Sequence, residues 1–199
     1  MSSSMHVYLN WTKERIDEMD ATLASLEAKA SQVKADSKVK ADQLVSELKK
    51  RRDEFQANAK AQVQAGEAAL HAAKAQLEAQ WKGFETQVEA YFDTVGKQIE
   101  QQQATFQGVA AAQVKAWRDA ADKLQAEAGK VTAAKRADID AAVTQMKADA
   151  TEAEARLQKL KQAGGESWAV LSGALTESRK TFDQASQKAW ETFKHASAP

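Results

Sequence analysis

The chain has 199 residues; 28 lysines and arginines balance 28 aspartates and glutamates, and there are eight glycines, one proline and no cysteine. Zero formal charge argues against nucleic acid as the partner, because such binding is driven by a basic excess that releases counterions. The missing cysteines exclude a disulfide framework and a thiolate metal site.

The one proline is Pro199, so no residue from Met1 to Ala198 is barred from a helix by a missing N–H. Ala, Gln, Lys and Glu, all strong helix formers, fill much of the rest, and Val and Ile never alternate with polar residues over a strand's length. The expected fold class is all-α: an elongated bundle or antiparallel coiled coil of a few long helices with a C-terminal amphipathic helix. No apolar run approaches the roughly 18 residues needed to cross a bilayer. The N-terminus lacks a basic start followed by an apolar core, so no signal peptide is expected and the expected location is cytoplasmic.

In chain order, Asn10 or Thr12 could cap a first helix in which Ile16, Met19, Leu23, Leu26, Ala30 and Val33 recur at helical spacing. Lys34 to Lys40 is polar, weakest for a helix at Asp36-Ser37, and the stripe resumes at Leu44, Leu48 and Phe55. Lys49-Lys50-Arg51-Arg52 is followed at once by Asp53-Glu54 and reads as a solvated helix face with local pairing. Ala57 to Ala75 is alanine-rich; Gly66 within it marks either close helix packing or a turn, and Gly83, Gly96, Gly108 and Gly129 are equally ambiguous.

The richest stretch runs from Leu77 to Leu124. Leu77, Trp81, Phe84, Val88, Tyr91, Val95 and Ile99 follow at steps of three or four. After a polar gap at Gln101 to Gln103, Phe106, Val109, Val114, Trp117, Ala121 and Leu124 continue the stripe. From Leu77 to Leu160 the mean step is about 3.6 residues, which suits nearly straight helices in a bundle better than a long supercoil. Gly164-Gly165 reads as the firmest break, after a helix ending near Lys161. Beyond it, Trp168, Leu171, Leu175, Phe182, Trp190 and Phe193 form the candidate interaction face of a terminal amphipathic helix. The expected division is a long-helix bundle over residues 1–163 and a C-terminal helix over residues 164–199.

A shift of 98 residues lays Leu26–Lys49 on Leu124–Lys147 without a gap. Leu26, Ala28, Ala30, Val33, Ala35, Asp42, Val45 and Lys49 meet identical residues. An internal repeat over residues 16–56 and 114–154, flanking the aromatic segment 77–124, is the reading favoured over shared composition on a shared period.

Trp117-Arg-Asp-Ala-Ala-Asp-Lys-Leu-Gln-Ala-Glu-Ala leads into a charge-rich helix ending Ala155-Arg-Leu-Gln-Lys-Leu. With Gly164-Gly165-Glu166-Ser167-Trp168 and the tail carrying Leu171, Leu175, Phe182 and Trp190, this pattern resembles a family of small bacterial coiled-coil proteins, some labelled stress-response proteins. The alternation of alanine-rich amphipathic helices is similar, more loosely, to apolipoprotein-type proteins and phasins. The resemblance implies a helical, non-enzymatic protein and supplies no catalytic residue.

Direct inspection for chemistry agrees. His6, His71 and His195 are far apart in sequence; Glu67 and His71 make one i,i+4 pair, and no Glu-x-x-His occurs. Asp149, Glu152 and Glu154 have basic neighbours, Ser178 and Ser186 lack an adjacent His, and the glycines form no phosphate loop. No catalytic residue, cofactor or metal is expected. The expected function is a structural or protein-interaction protein, protective under stress, that self-associates as a dimer. The alternative is an amphipathic binder of membranes, lipid droplets or polymer granules, with the tail face on a lipid surface or partner helix.

Overall fold

The computed structural model describes the backbone of residues 3–65, 70–95, 99–130, 133–163 and 165–197. Among these residues it is 95% helical and without strands, and the helices pack on one another as a bundle. The elements are α1 (Ser3–Ala28), a 3-10 turn (Ala30–Gln32), α2 (Ala35–Ala65), α3 (Leu70–Val95), α4 (Ile99–Ala128), α5 (Ala133–Leu160) and α6 (Gly165–Ser197).

Two breaks differ from the sequence expectation. The chain leaves α1 at Lys29–Lys34, so Asp36 and Ser37 lie in the first turn of α2, where a carboxylate is favoured by the helix dipole. The Leu77–Leu124 stripe is not carried by one helix: α3 ends at Val95 and α4 begins at Ile99. Of the ambiguous glycines, Gly66 and Gly96 lie outside the described residues, as does Gly164 of the expected diglycine break. Gly129 directly follows α4, its N–H bonding to the Gln125 carbonyl at 3.2 Å, so that glycine marks a helix end.

The chain divides into two compact units, and the division runs through helices rather than at the diglycine. Unit 1 holds Met1–Glu14 and Ala110–Pro199; unit 2 holds Arg15–Val109. Thus α1 and α4 each contribute to both, while α5 and α6 belong to unit 1 and α2 and α3 to unit 2.

The 98-residue shift relates these elements in order. Ala35, which opens α2, maps onto Ala133, which opens α5, and α1 and α3 map onto α4 and α6. Buried positions match: Met19 with Trp117, Leu26 with Leu124, Ala41 with Ile139, Leu48 with Met146, Leu77 with Leu175, Phe84 with Phe182 and Phe92 with Trp190. The correspondence therefore extends well past the stretch of sequence identity into α3 and α6.

In α5 the buried residues alternate steps of four and three, a seven-residue repeat. The series is Ile139, Val143, Met146, Ala150, Ala153, Leu157 and Leu160; in α3 the buried residues are Ala73, Leu77, Phe84, Tyr91, Phe92 and Val95. Seven-residue spacing keeps an apolar seam facing its neighbour in helix bundles.

Polar ties fix the seams. In unit 1, Arg156 on α5 donates to Ser178 Oγ at 2.6 Å and to the Ala174 carbonyl at 3.3 Å on α6. In unit 2 the basic run is used between helices: Lys49 pairs with Glu27, and Arg52 with Asp20 at 3.2 Å as well as with adjacent Asp53 at 3.1 Å.

Gly173 lies inside α6, and a Cβ added there would meet nothing within 4 Å. Gly173→Ala is expected to raise stability by about 0.5–1 kcal/mol, through lower backbone entropy in the unfolded chain and better helix propensity. A higher urea midpoint with an unchanged m value would show it.

Candidate functional site

The candidate face on α6 is turned into unit 1. Leu175, Phe182 and Trp190 are buried, and Ala189 and Ser186 are buried beside them. Trp168 and Leu171, near the start of the helix, are half-buried, and between them Val170 is 72% exposed. The side chain of Phe193 lies outside the described residues.

Two ring stacks hold this face. Phe182 lies flat on Trp117 of α4, with centroids 4.7 Å apart and planes 11° from parallel. Trp190 lies flat on His6 of α1, at 4.1 Å and 7°. Stacked aromatics contribute beyond the area they bury, so the two pairs pin α6 at two levels, eight residues apart along the helix. In the same unit, Arg179 of α6 reaches Glu14 of α1 at 3.9 Å.

His6 is 7% exposed, and its Nδ1 has no hydrogen-bond partner among the described residues. Burial, and next the positive charge of Lys123, pull its pKa below the ordinary histidine value; Glu127 opposes them. Lys130 donates to both carboxylate oxygens of Glu127, at 2.8 and 2.9 Å, and this bond holds the Glu127 carboxyl below its usual range. Tyr8 is buried as well, and burial raises its phenol pKa. On the surface of the unit, the Lys115 ammonium hydrogen-bonds Asp119 at 2.8 Å and lowers that carboxyl.

Unit 2 has its own polar interior on α1. Arg15 donates from Nη1 to Glu18 Oε1 at 2.5 Å, and its guanidinium sits 5.3 Å from the Trp81 ring centre. Trp81 stacks on Phe84 at 6.0 Å, and Gln101 donates to the Tyr91 hydroxyl at 3.4 Å. Gln101, part of the polar gap in the sequence, is thus a buried residue with a partner on α3. Asp20, at the edge of this interior with its side chain about half exposed, has its carboxyl pushed up by partial desolvation, with Arg52 pulling the other way.

The residues inspected for chemistry are dispersed. His195 is exposed, and the side chains of Glu67 and His71 lie outside the described residues. Glu152 pairs with Arg156, Glu154 with Arg118, and Asp149 accepts from Gln145. Among the described residues, no three His, Cys, Asp or Glu side chains come together as a metal site. No described helix is long and apolar enough to cross a membrane. Sequence reading weighed His6 only as a candidate for chemistry and passed over Arg15 and Glu18, whose one signal of burial is that they sit beside Ile16 and Met19 of the α1 stripe.

Compared with known protein families, curated proteins and solved structures, the chain matches none.

Proposed function

We propose that this chain is a non-enzymatic helical protein that acts as a structural or protein-interaction element. The observation that carries the reading is the position of the α6 face: Leu175, Phe182 and Trp190 face inward and are held by Trp117 and His6. With its largest apolar side chains used in the core, the molecule presents mixed-sign charges outward, such as Arg118 with Glu154 and Lys147 with Asp122. Such surfaces suit reversible contacts with other proteins or a second copy of the chain, in keeping with the resemblance to bacterial stress-response coiled-coil proteins.

A second reading, binding to membranes or polymer granules, draws on the start of α6, where Val170 is exposed between half-buried Trp168 and Leu171. Co-flotation with anionic and with neutral vesicles, reading tryptophan emission in the same samples, separates the two. The proposed function predicts emission already blue in buffer, from buried Trp117 and Trp190, with no flotation. Flotation with a further blue shift would replace it with the lipid-surface reading.

A further inference from the structure

We propose that His6 and Trp190 form an acid-sensitive latch holding α6 against α1. The inference rests on the docked α6 of the proposed function and adds a condition under which the helix is released.

The geometry places an imidazole face to face with the indole, 4.1 Å away, in an interior position on unit 1. A neutral ring suits that site as an aromatic partner. A protonated ring brings a charge that water no longer reaches, and a second N–H at Nδ1, where no acceptor stands among the described residues. The charged groups acting on the ring among the described residues are Lys123 and Glu127 of α4 and Lys130 just beyond it; α6 presents the indole. Two are cationic. The one carboxylate, Glu127, is already shared with Lys130 through two hydrogen bonds. Attraction between an imidazolium and the indole face offsets part of the penalty, but burial and the surrounding cations outweigh it.

The sign follows from linkage. A histidine whose folded pKa lies below its unfolded value binds fewer protons when folded, so its contribution to docking is complete above about pH 6.5. That contribution falls as pH drops from there toward the folded value, and levels off below it.

The test is hydrogen exchange of the full-length chain at pH 7.5 and 5.5, corrected for the intrinsic pH dependence of exchange. Protection of the α6 segment around Phe182–Trp190 is expected to fall on acidification, by at most about tenfold per pH unit. In His6→Phe, which keeps a stacking ring without a titratable nitrogen, protection should be independent of pH over this range. Equal pH dependence in both proteins overturns the latch, as does an unchanged wild type. Because His6→Phe could fold poorly, the His6 ring is also titrated by NMR in the wild type, assigned through its contact with the Trp190 indole; a pKa at or above 6.5 overturns the latch. The docked helix and the latch fail differently: an unprotected α6 at pH 7.5 refutes docking itself, whereas protection insensitive to pH refutes only the latch.

Discussion

Trp117→Ala is expected to lower the stability of unit 1 by about 3–5 kcal/mol, in the range for truncating a buried aromatic to alanine. Trp117 is 1% exposed, stacks on Phe182 and occupies one position in the α4 series Ala110, Val114, Trp117, Ala121, Leu124 and Ala128. Its neighbours in that series are mostly alanines, so the indole supplies most of the volume at its level. The hole left by truncation cannot be filled by side chains that have no atoms to extend. A small domain has about 5–15 kcal/mol in total, so the loss would be a large part of what unit 1 has.

The conservative variant makes the prediction sharper. Trp117 Nε1 is buried without a hydrogen-bond acceptor among the described residues. Trp117→Phe keeps a ring against Phe182 and removes that buried donor, so its cost should stay below about 2 kcal/mol despite the lost volume. Urea unfolding followed by far-ultraviolet circular dichroism gives both values. If phenylalanine costs as much as alanine, the full indole outline, and not ring stacking, is what α6 docks against.

The same residue shows what the sequence revealed. Trp117 stood in an apolar stripe at helical spacing, and stripes of that kind, with no internal proline, were enough to establish an all-α bundle. The break between α3 and α4 was hidden because Val95 and Ile99 are four residues apart, so the stripe keeps its phase across a helix end. At the start of α2, by contrast, Asp36 and Ser37 weaken a helix interior but suit a first turn, which moved the expected break several residues late. The α6 stripe was legible; its partners were not, since nothing local in the sequence links His6 to Trp190 across 184 positions. Glu14, Arg15 and Glu18 likewise look like solvated residues in a charged helix. Their burial depends on residues distant in sequence, which no local pattern reveals.

Glu18→Ala is expected to cost about 3–5 kcal/mol in unit 2, because it removes a carboxylate bonded to a buried guanidinium. The Arg15 and Glu18 side chains are 4% and 0% exposed, and the Thr22 hydroxyl is already committed to the Glu18 backbone carbonyl at 2.9 Å. Arg15 would keep the Trp81 face, but a ring quadrupole does not replace a bonded carboxylate. Replacing both residues, Arg15→Met with Glu18→Leu, should cost far less than Glu18→Ala alone, since both charges of the pair are removed together. A double-mutant cycle by urea unfolding reads the difference as coupling between the two sites. The positions 98 residues on argue for this outcome: Gln113 and Ala116 of α4 are also buried and carry no charge. The helical framework is thus already built once without an ion pair at this level. Nearly equal costs for the single and the double variants would mean that packing around α1 in unit 2 depends on the shapes of these two side chains and not on their charges.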